Sequence, residues 1–426
     1  MLNTNANVAS GNSLPTYHHF LIAETQSLMT RLREIQPFEL SMPMVSGATI
    51  PISARKKIFA MMRSDRDDLF ARLRAFIEKM QKSGGVQLKD CQTDFTILKL
   101  SYNLLLDRLD IFADVVNQRS EHETGVWVAG LDILAADSVS MLRNVIDVPP
   151  LICYLDRGHG AAIRRAHTRL PGGVHNPVAV IRIPRERMVG SGIGSSLVHE
   201  AGHQASALLD LLKSLKKELD EIALRDTQRA LAWKMFSRWL SEILSDLWAV
   251  ALLGISATTG LIGVVSLPSY FVFRDVGDDP HPFPFIRVKI STAFGYALYP
   301  DQQWEKFTRM WDAFYPKDFV KPDQISIISL LENTLKDFVA VVLNHKVEAM
   351  GNAPLHKCFP VATRQPEILR NVFRQWKKNR SLIFSAKPTL VFAVIGQARA
   401  DNKISPFAEN RTLSRMLKHW ALVNLN

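Results

Sequence analysis

From Leu247 to Phe273 the chain carries no charged residue, and this run decides between two kinds of fold. It is long enough to cross a bilayer as a helix. Gly254, Gly260, Gly263 and Pro268 interrupt it, and Ser and Thr residues are scattered along it. Glycine and proline weaken a helix interior and favour breaks. The stretch therefore reads as two short buried helices separated near Gly254–Ser256, and no transmembrane anchor is expected. That reading demands a large soluble core. A chain of 426 residues, 47% hydrophobic and only 22% charged, can build one.

The first 150 residues look helical. Ile58, Phe59, Met62, Leu69, Leu73, Phe76, Ile77 and Met80 recur at helical spacing between a start near Ser53 and a stop at Gly84-Gly85. Further helical patterns run from about Asp94 to Asn117 and from Val126 to Arg143, and Asp147–Leu151 reads as a turn or linker. "NPVAVIRIPRE" is short and β-branched, so Val178 to Ile183 is expected to form a strand. Pro177 and Pro184 bracket it, which predicts an edge strand. Beyond residue 300 helices are expected at 325–344, 366–378, 388–399 and 406–422. The expected fold class is α+β, mainly α. Residues 1–150 form an N-terminal helical region, 151–300 a central region with a small edge-strand element, and 301–426 a C-terminal helical region that reads as packing or partner surface.

Chemistry concentrates in the central region. His199-Glu200-Ala201-Gly202-His203 fits HExxH within an apolar helical pattern. Positions i and i+4 share one helix face, so His199 and His203 can bind one ion. Glu200 misses the metal but can act as a general base on water. A catalytic zinc needs a third protein ligand. The stretch "TQRALAWKMFSRWLSEILSDLWAVALLG" reads as one long helix that carries Glu242 and Asp246 four residues apart. Two acids on a mostly apolar helix are costly unless paired or metal-bound.

HExxH followed by ExxxD resembles the gluzincin metallopeptidases. The resemblance implies a zincin-like catalytic core with Zn2+ held by His199, His203 and Glu242, and with Asp246 orienting His199. A third element, His281-Pro282 with Arg287, is similar to the HPxxxxR that follows ExxxD in the branch containing the CAAX-prenyl proteases and the membrane heat-shock proteases. It implies that His281 faces the substrate carbonyl and that Arg287 supports the site. The likeness spans about Ser191 to Arg287. Members of that branch usually carry transmembrane helices before HExxH, and none is evident here. Tyr296 and Tyr299 are further candidate donors by sequence proximity alone.

The expected function is zinc-dependent hydrolysis of a peptide or protein substrate. The alternative is a helical interaction protein with a structural or inactive zinc site. The net charge of +11 is partly concentrated from Arg157 to Arg187, where seven arginines (157, 164, 165, 169, 182, 185 and 187) face one acid, Glu186. This basic segment covers apolar surface or attracts an acidic substrate. It could also bind an anionic polymer or membrane surface, but no aromatics interleave it and no nucleic-acid partner is expected. Cys91, Cys153 and Cys358 are far apart, which argues against a disulfide framework and suits a reducing compartment. The N-terminus up to His19 lacks a basic start and apolar run, so it reads as a frayed tail and not a signal peptide. A cytoplasmic location is expected.

Overall fold

The computed structural model describes residues 16–36, 38–82, 88–158, 160–184, 190–274, 277 and 279–423. It is mostly helical, with strands confined to small sheets.

The chain opens with α1 (Thr16–Arg33), α2 (Phe38–Ser41), α3 (Ile52–Lys82), α4 (Leu88–Asn117) and α5 (His122–Ser138). Tyr17, His18 and His19 belong to α1 and not to a tail, whereas residues 1–15 and the expected Gly84-Gly85 stop lie outside the described residues. The helices α1, α3 and α4 share a core. Leu69, Leu73, Phe76 and Met80 recur at i, i+3 and i+4 and meet Leu28, Leu32, Phe95 and Leu98. Helix α5 is buried over much of its surface and starts where Glu121 accepts the backbone N–H groups of Glu123 and Thr124.

A three-stranded sheet follows: β1 (Leu151–Asp156), β2 (Ala162–Arg164) and β3 (Ala179–Pro184), in spatial order β1-β3-β2. β3 pairs parallel with β1 and antiparallel with β2, so it is the central strand and not the edge expected from its prolines. Pro177 precedes the strand and Pro184 is its last residue, so neither removes a ladder donor from its middle. The edge is β2. The buried pair Arg119–Asp132 docks the sheet on α5: Asp132 accepts the Cys153 N–H at 2.7 Å, and Arg119 donates to the Cys153 carbonyl at 2.6 Å.

Next come α6 (Ser191–Leu208), α7 (Leu211–Arg225), α8 (Ala230–Arg238), α9 (Leu240–Leu253), α10 (Ile255–Val265), α11 (Ser269–Val272) and α12 (Pro284–Leu298). The single long helix expected from Thr227 to Gly254 is broken: Trp239, with φ −86° and ψ 2°, separates α8 from α9. The uncharged run divides at Gly254, which holds φ at 59°, a value a glycine adopts without a Cβ penalty. Among the described residues no helix is long and apolar enough to cross a membrane.

The chain ends with α13 (Gln303–Phe314), α14 (Pro322–Asn344), a two-stranded pair β4 (Lys346–Val347) and β5 (Ala353–Pro354), then α15 (Pro366–Lys378), α16 (Pro388–Ala400) and α17 (Pro406–Val423). These helices join the central region in one apolar core, which contains Leu197, Leu244, Phe338, Val391 and Leu417. They also finish α6. Asn410 accepts the Gly190 N–H at 3.0 Å, and buried Glu409 accepts the Ser191 N–H at 3.3 Å. A carboxylate there satisfies otherwise unpaired N–H groups and sits at the positive end of the helix dipole. The C-terminal region therefore helps to position the HExxH helix.

Candidate metal centre

The centre forms where α6 crosses α9. Their approach is close at Gly202, where an added Cβ would lie 2.9 Å from the Ser245 Cα and 2.9 Å from the Trp248 Cβ. Glycine at this position lets the two backbones come near enough for side chains of both helices to meet one ion.

His199, His203 and Glu242 form a group that could hold a metal ion, with one donor atom from each lying within 4.8 Å of the others. His199 Nε2 is 3.3 Å from Glu242 Oε2, and His203 Nε2 is 3.3 Å from Glu242 Oε1. Donors around a tetrahedral zinc with bonds of about 2.0–2.1 Å are separated by about 3.3 Å. The donor set thus fits zinc in type and spacing. The break at Trp239 places Glu242 in the first turn of α9, where the helix dipole favours a negative charge.

Behind this set lies a hydrogen-bonded support. Asp246 Oδ1 is 2.8 Å from His199 Nδ1, so the carboxylate fixes the ring with Nε2 toward Glu242. Arg287 reaches in from α12, donating from Nε to Asp246 Oδ2 at 2.7 Å and from Nη2 to Glu242 Oε2 at 3.2 Å. It is the cation that offsets the two buried carboxylates. Arg229 and Arg238 take other partners, Asp226 with Asp337 and the Gly277 carbonyl respectively. Ser241 Oγ lies 3.3 Å from His203 Nδ1.

Electrostatics follow from this geometry. Burial depresses the His199 imidazolium, but the hydrogen bond and charge of Asp246, with the hydrogen bond to Glu242, outweigh it and lift the pKa to about 10. Burial raises Glu242, yet the two histidines hold it well below the ordinary carboxylate range. Asp246 is likewise raised by burial but held low overall by Arg287 and His199. Glu200, 8% exposed, is pushed up by burial, against the opposing charges of His199 and His203. A proton on His199 must leave before Nε2 can bind a metal. Below pH 10, binding therefore displaces that proton, and the apparent zinc affinity is expected to rise about tenfold per pH unit between pH 7 and 9. Competition with a chromophoric chelator across that range checks it; a flat profile would contradict the lifted imidazole. The metal-free fold shows the opposite trend. His199 pairing stabilises it fully below about pH 6.5, and this contribution fades as pH rises through 10.

His199, His203, Ser241, Glu242, Asp246 and Arg287 line one cleft of about 470 Å³, which also receives Glu200 and His281. His281 is half-exposed; Asp279 holds its Nδ1 at 2.7 Å, and its Nε2 lies 3.6 Å from Glu242 Oε2. The two tyrosines lie elsewhere. Tyr299 is fully buried and donates to the Ala251 carbonyl, and Tyr296 lines a separate groove. Both were candidates only by sequence proximity, and the helical turn of α12 carries them away from the cleft. Of the basic segment, Arg165 lines the cleft, Arg182 pairs with Asp156 at 3.8 Å, and Arg185 and Arg187 lie outside the described residues.

Several supporting residues were not singled out by motif. Gln204, beside His203, accepts the Ala166 N–H at 2.8 Å and so ties α6 to the end of β2. Its signal was a polar residue on an otherwise apolar helix face. Asp279 sits two residues before His281 and was readable as its orienting acid. Glu409 had no local signal.

No protein-family model, no curated protein and no solved structure matches the chain. The chemical class of the centre therefore rests on its own residues.

Proposed function

We propose that the chain is a zinc-dependent peptidase of the gluzincin type, with His199, His203 and Glu242 as ligands and Glu200 as general base. The observation that carries the reading is a three-donor set open to a cleft, with a buried, raised-pKa glutamate beside it. A closed structural site uses four protein ligands and has no need of a base.

Zinc held there supplies Lewis acidity, which acidifies water and polarises a carbonyl. The chain's residues do the rest. Glu200 takes a proton from water as its oxygen bonds to the peptide carbon, then passes that proton to the amine as the C–N bond breaks. His281, held by Asp279 through Nδ1, donates from Nε2 in its imidazolium form to the oxygen that becomes negative. Asp246 keeps the His199 tautomer fixed, and Arg287 keeps Asp246 and Glu242 ionised. Among the described residues the outer edge of β2 has no partner strand, and Ala162 and Ile163 line the cleft, so an extended peptide can add to it as a further strand.

Purified without chelators, the protein is expected to carry about one zinc per chain and to generate new peptides from a denatured protein mixture, read by mass spectrometry. Zinc without cleavage would favour a structural site in a helical interaction protein. Absence of zinc would remove the reading.

A further inference from the structure

Beyond the metal donors the lining of the cleft has two characters. Ala249 and Val250 of α9 and Ala257, Leu261, Val264 and Val265 of α10 present an apolar wall. Arg165, just past the end of β2, lines the same cleft. It is exposed, and among the described residues no carboxylate pairs with its guanidinium. Arg182, by contrast, pairs with Asp156, and Arg287 pairs with Asp246.

The backbone beneath Arg165 is held firmly. Asn176, fully buried, donates to the Arg165 carbonyl at 3.1 Å. Gln204, 1% exposed and next to a metal ligand, accepts the N–H of the following residue, Ala166, at 2.8 Å. Two buried amides thus hold the peptide unit that joins Arg165 to Ala166, and one of them belongs to the HExxH helix itself. A solvated arginine that merely shields surface needs no such support. An arginine that must meet a group at a fixed distance from the reacting bond does.

From this we infer that Arg165 recognises a carboxylate of the substrate while the α9–α10 wall takes a neighbouring aliphatic side chain. The inference rests on the peptidase reading and names its substrate class: peptides that combine an apolar residue with an anionic group near the cleaved bond. Arg is suited to this task because its planar fork can donate two parallel hydrogen bonds to a carboxylate. A peptide's C-terminus and an acidic side chain offer the same chemistry. The wall is chemically fit for Ala, Val or Leu and has no partner for a buried charge.

Binding can be read without turnover. The probes are three fluorescein-labelled hexapeptides of alanine and leucine: one with a free C-terminal carboxylate, one amidated, and one amidated with an internal glutamate. The protein is the zinc-loaded Glu200→Gln variant, and the readout is fluorescence anisotropy with zinc content measured on the same samples. At least one carboxylate-bearing peptide is expected to bind about tenfold more tightly than the plain amide. Arg165→Ala in this background should abolish that advantage, and Arg165→Lys should keep part of it. The peptide that loses its advantage identifies the source of the carboxylate. Leu261→Ser should weaken all three alike. Zinc-loaded protein with no carboxylate preference, or with a preference that survives Arg165→Ala, overturns the inference and leaves the peptidase reading standing. Protein that binds no zinc overturns both.

Discussion

Replacing Glu200 with glutamine is expected to leave zinc bound while lowering kcat on a peptide substrate by about 10³-fold. Three features separate this residue from its neighbours. It lies one position from His199, so its side chain leaves the face that binds the ion, and it is absent from the donor group. It is buried yet lines the cleft. Its carboxyl is raised by burial, which brings its basicity toward the working range of a proton shuttle. Glutamine keeps the shape and loses the proton-accepting oxygen charge. The sign of the stability effect is also fixed. A carboxylate whose folded pKa is raised costs the fold stability when ionised, so the metal-free variant should melt at the same temperature as the parent or higher. An unchanged kcat in a zinc-loaded variant would deny Glu200 its role, and a variant that loses zinc and melts early would make it structural. Unchanged KM with lowered kcat is the expected split, because the proton transfer belongs to the transition state.

The parts of this centre that could be read in advance are those written in short-range spacing. His199 and His203 share a helix face because four residues make about one turn, and Glu242 with Asp246 obey the same arithmetic. The ends of α15 and α16 follow equally from Pro366 and Pro388 at the first helical position. What escaped depends on distant partners. Whether β3 is an edge or a centre depends on where β1 and β2 lie, and prolines at its ends are compatible with both. The break at Trp239 interrupts a continuous apolar pattern, since a helix end can be set by packing that local periodicity does not record. Proximity in sequence makes Tyr299 a candidate donor, but its hydroxyl is committed to the Ala251 carbonyl. Glu409 completes a helix more than two hundred residues earlier, a relation that only the folded chain contains. The pattern is physical: local periodicity carries ligand spacing, whereas orientation and support come from tertiary contacts.

Gly202→Ala is the sharper test of how the centre is assembled, because two opposing effects give it a definite sign. In an ordinary helix interior alanine replaces glycine with a gain of about 0.5–1 kcal/mol. At Gly202 the new methyl would meet the Ser245 backbone and the Trp248 Cβ, each at 2.9 Å. Neither is the end of a flexible side chain, so the helices must part. Overpacking of this kind costs about 1–3 kcal/mol, which exceeds the propensity gain. The net expectation is destabilisation, read as a lower melting temperature. The displacement also acts on the metal, since His199 and His203 ride on α6 and Glu242 rides on α9. Zinc affinity should fall by about tenfold or more, because donors 3.3 Å apart leave little slack for a shift of one helix. Gly192→Ala supplies the control within the same helix. Nothing lies within 4 Å of the methyl it would add, so it should preserve zinc affinity and hold or raise the melting temperature. If both substitutions behave alike, the close crossing of α6 and α9 is not what brings the third ligand to the histidines. If they diverge as argued, Gly202, the second unlabelled letter between Glu200 and His203, is as necessary to the centre as the ligands it lets converge.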